Sequence, residues 1–137
     1  MGCAQAVRMQ VINPHSTYAS TKRLIGRTAS TAELRALAAL DVPATVDTAR
    51  EVLLPCPALR AALTPVDVAA ELLSSLRRQA AETLGADVRA AVVTVPAYFD
   101  DSQRNATEAA CKLAGLETVQ LLREPEAQLV EHAVYPV

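Results

Sequence analysis

Few side chains in this sequence could do chemistry, and they are widely spaced. Lys22 lies in the run TKRLIGR, where two adjacent cations precede the apolar pair Leu24 and Ile25. Glu124 lies between Arg123 and Pro125, at the start of the predicted final helix. Taken alone, Lys22 is most simply a surface lysine, and Glu124 a first-turn residue that favours a helix N-terminus.

Other catalytic signatures are absent from the sequence. His15 and His132 are isolated, and neither has a candidate nucleophile nearby. The patterns GxGxxG, GxxxxGK[ST] and GxSxG do not occur. The sequence therefore contains none of the motifs that would indicate one of these common α/β enzymes.

Composition and charge exclude several classes of protein. The formal net charge is −2 and the cations are scattered, so the sequence lacks the basic face that nucleic acid binding needs. Three cysteines without CxxC spacing argue against a disulfide framework or a zinc site and fit a reducing compartment. No apolar run is long enough for a transmembrane helix, and the N-terminus lacks a secretory signal pattern. We therefore expect no nucleic acid and no membrane among its partners.

A long helix is predicted to begin after Thr64, the expected N-cap, because Pro65 and Asp67 suit its first turn. Gly85 ends this helix, and the arginine pair at 77 and 78 is expected at the edge of its apolar stripe or outside it. The stripe recurs every four residues through Val68, Leu72, Leu76, Ala80 and Leu84.

A strand and a second helix are predicted next. Residues 90–95 form an unbroken apolar and β-branched run, typical of a strand covered on both faces, and Pro96 ends it. Asp100 or Asp101 can cap the following helix, which Gly115 ends. Its narrow apolar face would consist of Ala106, Ala109, Ala110, Leu113 and Ala114.

The order of these elements predicts the fold class. Residues 118–122 are interpreted as another short strand and residues 124–133 as a final helix. Strand, helix, strand and helix in succession indicate an α/β fold with a sheet flanked by helices.

The segment before Thr64 has weaker signals. A short helical or irregular lead-in breaks at Asn13-Pro14, and Gly26 is expected to stop a short helix. Residues 33–40 are good helix formers. Residues 46–54 are expected to form strands interrupted by a polar turn at 47–50 and ended by the prolines at 55 and 57.

Four sequence elements together resemble a known family. VTVPAYF begins at Val93, DSQR at Asp101, AGL at Ala114 and EP at Glu124, and all fall where the seventy-kilodalton heat-shock chaperones of the DnaK type have them. The resemblance implies a partial actin-like, ribonuclease-H-like ATPase domain that spans residues 1–137. Residues 1–89 would form a small-lobe-like region, and residues 90–137 a strand-helix-strand-helix core segment.

The resemblance also implies roles for four residues. Lys22 matches a lysine that reaches the phosphates of ATP and orients the attacking water, and Glu124 matches a glutamate that faces the hydrated Mg²⁺. Pro96 and Arg104 match residues that relay the nucleotide state to the surface docked by the peptide-binding domain. Structural explanations exist for both, since Pro96 ends a strand and the Arg104 stem can cover apolar surface.

The sequence also departs from the family pattern. The glycine-rich phosphate loops expected of the family are absent from it, and Glu126, Gln128, Glu131 and His132 replace a run of small residues after EP. Such longer side chains should widen a helix crossing or leave carboxylates that need partners.

Three hypotheses about function follow. The first is a fragment of an ATP-hydrolysing chaperone of the cytoplasm or plastid, whose parent would bind ATP or ADP with Mg²⁺, unfolded client proteins and co-chaperones. By resemblance it is an ATPase, although we expect little activity from this part alone. The alternatives are a non-catalytic interaction module and an inert truncated relic of that chaperone.

Overall fold

The computed structural model describes residues 8–9, 11–13, 17–18, 21–28, 30, 44–47 and 51–127 of the chain. The helix predicted at 33–40 and the end of the predicted final helix, residues 128–133, lie outside the described residues. The described elements have the predicted α/β character, with two small sheets and two long helices.

The N-terminal part follows the predicted pattern. Residues 8, 9, 11 and 12 are helical, and the amide of Asn13 donates to the carbonyl of Met9 at 2.7 Å. A single 3-10 turn, Thr21–Arg23, precedes two buried residues, Leu24 and Ile25. The predicted stop at Gly26 is confirmed, because this residue adopts the left-handed conformation with φ 68°.

Three short antiparallel strands form the first sheet. They are β1 (Thr45–Val46), β2 (Val52–Cys56) and β3 (Ala61–Leu63), in the order β1-β2-β3. The predicted turn between β1 and β2 is supported by Asp47, whose Oδ1 accepts a hydrogen bond from the amide of Glu51 at 2.8 Å.

The prediction that the proline at 55 ends the second strand is wrong. Pro55 lies within β2 opposite Ala62, and the strand continues to Cys56. A proline cannot donate to the ladder, but its carbonyl still accepts, and here it accepts a 2.6 Å hydrogen bond from the Tyr18 hydroxyl. Pro57 does end β2, because a 3-10 turn (Pro57–Leu59) begins there.

The first long helix, α1 (Pro65–Leu84), begins and ends as predicted. Thr64 and Asp67 form a reciprocal capping box, in which the Thr64 amide donates to the Asp67 carboxylate at 2.8 Å. Gly85 closes the helix with φ 65°. The N-terminal half of α1 packs on the core through Val68, which contacts a buried cluster of Leu24, Val52 and Leu54.

Two details of α1 were not predicted. The apolar stripe is only partly covered, since Leu72 is 51% and Leu76 52% exposed. Arg77 is partly buried, which agrees with the predicted position at the edge of the stripe. Its guanidinium is largely covered and holds the segment after the helix, donating to Asp87 Oδ1 at 2.9 Å and to the carbonyl of Val88 at 3.3 Å.

The second sheet is a parallel pair formed by β4 (Ala90–Val95) and β5 (Thr118–Arg123), joined by α2 (Asp101–Leu113). The prediction that β4 is covered on both faces is wrong for the part of the chain that is described. Burial alternates along β4, and Val92 is 60% exposed while Val95 is 2% exposed. An apolar run in sequence therefore marks a strand here but does not report what covers each face.

The buried face of α2 also differs from the predicted one. Ala109 and Leu113 are exposed. The buried positions are Gln103, Thr107, Ala110, Cys111 and Ala114. The reason lies at the helix start, where Gln103 closes a capping box with Asp100 and its backbone contacts Gly26, so this polar residue faces inward.

A last helix begins after β5, and residues 124–127 are helical. The amide of Arg123 donates to Glu126 Oε2 at 3.1 Å. The Glu126 carboxylate, one of the departures from the family pattern, therefore has a partner at the start of this helix.

Candidate functional site

A cleft of about 460 Å³ lies between the turn at 21–25, α1 and the carboxyl ends of the parallel strands. Its walls are mostly apolar, and it brings together three of the four predicted site residues, Lys22, Pro96 and Glu124. The other lining residues are Tyr18, Thr21, Ile25, Pro65, Val68, Ala69, Leu72, Leu73, Val93, Thr94, Val95, Phe99 and Thr107.

The parallel pairing of β4 and β5 explains why two of these residues meet. Val95 and Arg123 are partners in the register, and both strands end there. Pro96 and Glu124 are the next residues of the two strands, so they emerge at the same edge of the sheet. The carboxyl edge of parallel strands is where α/β folds bind ligands.

Lys22 reaches this edge from a different part of the chain. It lies in the 3-10 turn, and the neighbouring side chains of Leu24 and Ile25 are buried and anchor that turn. Its ammonium nitrogen lies 3.7 Å from Glu124 Oε1. The structure thus brings into contact two residues that are distant in sequence.

The Lys22–Glu124 pair is open to solvent. The two side chains are 65% and 46% exposed, and ion pairs of this kind contribute about 0–1 kcal/mol. Such a pair costs little to separate, so both charges are available to a ligand. An ammonium and a carboxylate at the mouth of an apolar cleft can bind a phosphate and the water shell of a divalent cation.

Pro96 and Arg104 have different positions relative to this cleft. Pro96 is buried, ends β4 and accepts a 3.1 Å hydrogen bond from the Phe99 amide, which fixes the corner beside Glu124. Arg104 is half-buried on α2 and does not line the cleft. The structure therefore does not bring Arg104 together with the other three residues.

Several residues at the site were not predicted from sequence. Phe99 and Thr107 line the cleft, and the Thr107 hydroxyl donates to the carbonyl of Gln103 at 2.8 Å. Tyr18 also lines the cleft, and burial, followed by the neighbouring Cys56 thiol, raises the Tyr18 pKa to about 12. The aromatic residues carry no motif by themselves, but Phe99 belongs to the VTVPAYF run and could have been found from it.

A second unpredicted feature is the contact between α2 and the segment that carries Lys22. Ser102 Oγ donates to the carbonyl of Gly26 at 2.8 Å. The side chain of the adjacent Gln103 is almost fully buried, and its Nε2 has no hydrogen-bond partner in the described structure. The run DSQR contains Ser102 and Gln103, but sequence spacing gives no indication that they meet Gly26.

Within the described ranges, no group of three or more His, Cys, Asp or Glu side chains could hold a metal ion. Among the residues that line the cleft, Glu124 is the carboxylate. In the described part of the chain, no helix is long and apolar enough to cross a membrane.

Comparison with known proteins gives a consistent result. The family model described as "Hsp70 protein" matches residues 1–133. The chain is 43% identical over 122 residues to a chaperone protein dnaK of Cyanophora paradoxa, covering 89% of this chain and 19% of the relative. It is 42% identical over 137 residues to a chaperone protein HscA homolog of Bordetella petrii, covering 95% of this chain and 20% of the relative.

A third relative is similar to the chain over nearly its whole length. A chaperone protein dnaK of Emiliania huxleyi is 42% identical over 132 residues, covering 94% of this chain and 20% of the relative. The chain thus spans about a fifth of the length of the curated relatives that it matches.

Proposed function

This chain belongs to the Hsp70 family, and from that premise we propose that it supplies the phosphate-facing part of a nucleotide site. Its mixed helix and sheet order is that of part of an actin-like ATPase domain. In the proposed division, residues 1–89 are the small-lobe-like region and residues 90–137 the core segment. The Lys22–Glu124 contact crosses this boundary.

The observation that carries the proposal is the convergence of Lys22, Pro96 and Glu124 on one cleft. Lys22 would bind a phosphate of ATP and stabilise the charge that develops during transfer. Glu124 would hold Mg²⁺ through its water shell, and Pro96 would fix the corner that keeps Glu124 in place. Arg104, outside the cleft, would report the nucleotide state at the surface of α2.

The residues present fit these ligands. A lysine is a compact point charge suited to phosphate, and one carboxylate is a common protein contribution to a Mg²⁺ site. When bound, Mg²⁺ neutralises charge on the phosphates. The chain's own part is to place one positive and one negative group at the mouth of a cleft whose walls are mostly apolar.

The wider function follows from the relatives. We propose that the chain is part of an ATP-hydrolysing chaperone that assists protein folding, since the relatives are named as chaperone proteins. Its parent would act on unfolded clients together with co-chaperones. The relatives support a place in the cytoplasm or the plastid.

Nucleotide titration tests the proposed site. We expect the purified chain to bind a fluorescent ATP analogue in a Mg²⁺-dependent, saturable manner, and Lys22→Ala to weaken binding about tenfold or more by removing the phosphate contact. Arg23→Ala is the matched control, because Arg23 is an exposed cation in the same 3-10 turn that does not line the cleft. A control variant that weakens binding equally would indicate non-specific charge attraction.

Glu124 is tested by the metal rather than by the nucleotide alone. We expect Glu124→Gln to raise the Mg²⁺ concentration needed for half-maximal binding several-fold while leaving metal-free binding nearly unchanged. Glu82→Gln is the control, since Glu82 is an exposed carboxylate on α1. A folded chain that binds no nucleotide under any condition would overturn the proposed site and leave the non-catalytic interaction module as the better hypothesis.

A further inference from the structure

The segment that carries Lys22 rests directly on the first turn of α2. A Cβ atom added at Gly26 would lie 2.6 Å from Gln103 Cα and 2.7 Å from the carbonyl oxygen of Ser102. Real Cβ atoms essentially never approach so closely, so the two backbones meet at a point where only glycine fits. The 2.8 Å hydrogen bond from Ser102 Oγ to the carbonyl of Gly26 closes the contact.

This contact lies between two of the candidate functional residues. Lys22 precedes Gly26 in the same segment, residues 21–26, and Arg104 follows Ser102 and Gln103 on α2. Lys22 lines the cleft, whereas Arg104 lies outside it. The Gly26–Ser102 contact is therefore a physical connection between the charged mouth of the cleft and the helix that carries Arg104.

The segment between Lys22 and Gly26 is built to hold its shape. The amide of Leu24 donates to the carbonyl of Thr21 at 3.0 Å, and the amide of Arg27 donates to the carbonyl of Leu24 at 3.2 Å. Leu24 and Ile25 are only 6% and 4% exposed. With both hydrogen bonds and both apolar side chains fixed, a displacement at Gly26 moves Lys22 with it.

We propose that Gly26 and Ser102 are positioning residues that set Lys22 against Glu124 and tie its position to α2. The inference rests on the proposed role of Lys22 at the phosphate and goes beyond it. Pro96 is then one of two connections from the cleft to α2. The second passes from Lys22 through Gly26 and Ser102 towards Arg104.

A double-mutant cycle tests this connection. We expect Ser102→Ala to weaken binding of the Mg²⁺-loaded fluorescent ATP analogue about two- to tenfold, which is the range for loss of one hydrogen bond. Ser102→Thr, which keeps the hydroxyl, should restore binding. In a Lys22→Ala background, Ser102→Ala should have no further effect, because the contact acts through Lys22.

The double-mutant cycle needs a control serine elsewhere in the chain. Ser75→Ala is the matched control, since Ser75 lies on α1 and its hydroxyl accepts only a long, 3.5 Å hydrogen bond from Gln79. An equal loss on Ser102→Ala with and without Lys22 would overturn the inference, because the hydroxyl would then act independently of the lysine. Unchanged binding in Ser102→Ala would overturn it as well.

A measurement without nucleotide separates this inference from the proposed site. We expect Ser102→Ala to accelerate hydrogen exchange at the amides of Leu24 and Arg27, with β4 and β5 unchanged. If the wild-type chain binds no nucleotide, the proposed site fails, and this exchange result alone decides whether the contact fixes the Lys22 turn. Unchanged exchange at both amides would contradict the positioning role.

Discussion

The two long helices begin with the same capping motif but differ in how deeply their side chains are buried. Both α1 and α2 start with a reciprocal capping box, Thr64 with Asp67 and Asp100 with Gln103. Beyond the cap, α1 carries large leucines that are half exposed, whereas α2 buries small and polar side chains almost completely. Burial in this molecule therefore follows how closely the backbones approach, and hydrophobicity alone does not predict it.

The closeness of α2 has a functional consequence. Gln103 and Thr107 are buried on the face of α2 that adjoins the Lys22 turn and the cleft. The leucines of α1 form part of the cleft wall at Leu72 and Leu73 and are partly open to solvent elsewhere. The closely packed helix α2 contacts the segment that carries Lys22, whereas α1 mainly supplies apolar surface.

The largest effect is expected where the backbone of α2 meets Gly26. Gly26→Ala should destabilise the chain by roughly 1–3 kcal/mol from left-handed strain and by about 1–3 kcal/mol more from overpacking. Gly85→Ala is the matched control, because Gly85 has φ 65° but nothing lies within 4 Å of its added Cβ. Urea unfolding monitored by circular dichroism measures both, and equal destabilisation would break the comparison between the two helices.

A smaller but still marked effect is expected in the core of α2. Ala110 is fully buried, so Ala110→Leu should cost about 1–3 kcal/mol by overpacking. Leu76→Ala on α1 should cost less, about 1 kcal/mol, because Leu76 is already 52% exposed. If thermal unfolding shows that Leu76→Ala destabilises the chain more than Ala110→Leu, the conclusion that α1 is less closely packed than α2 is wrong.

The two capping boxes offer a finer test of the same comparison. Asp100→Ala should cost about 1–2 kcal/mol and Thr64→Ala about 0.5–1 kcal/mol, because the Asp100 box is part-buried and the Thr64 box is exposed. Asp100→Asn, which keeps the accepting oxygen, is the control and should recover most of the loss. Chemical denaturation of the three variants gives the order directly, and a larger cost at Thr64 would reverse it.

The smallest effect is expected at the surface that joins α1 to β4. The hydrogen bond from Arg89 lowers the Asp87 pKa below its ordinary value of 3.8, and Arg77 acts in the same direction. A lowered pKa contributes stability that is present above pH 3.8 and is lost as the pH falls through the folded-state value. The difference in unfolding midpoint between wild type and Asp87→Asn should therefore be small at pH 7 and shrink below about pH 4.

The pH series has its own control. Asp67→Asn is this control, because it removes the charge of the N3 residue in the exposed capping box on α1 and leaves the Arg77–Asp87–Arg89 group intact. A difference between wild type and Asp87→Asn that grows on acidification would contradict the assigned sign.

The sequence predicted the elements well where one local signal decides them. Thr64, Pro65 and Gly85 set the ends of α1, and Pro96 ends β4, because caps and prolines act within a few residues. The third strand was missed because Ala-Ala-Leu has little strand propensity, and Ala62 is held by pairing with Pro55. The buried face of α2 was missed because a neighbouring backbone at Gly26 determines it, and no periodicity records that contact.

At the candidate site, too, motifs identified the residues but not all of the contacts between them. Lys22, Glu124, Pro96 and Arg104 were identified through motifs, and their roles stay predictions. Parallel pairing explains why Pro96 and Glu124 are neighbours, since both follow partnered strand ends. Two contacts depend on tertiary packing, so residue patterns could not have predicted them. They are the ion pair of Lys22 with Glu124 and the hydrogen bond from Ser102 to the carbonyl of Gly26.

The most direct test of the account is to map where Mg²⁺-ATP acts on the folded chain by ¹H–¹⁵N NMR. We predict that shifts concentrate at the amides of Lys22, Ala97 and Glu124 and extend through Gly26 to Ser102. The exposed face of β4 at Val92 should be unaffected. Saturable shifts confined to that face, with Lys22 and Glu124 unmoved, would contradict the claim that these two residues form the phosphate end of a nucleotide site.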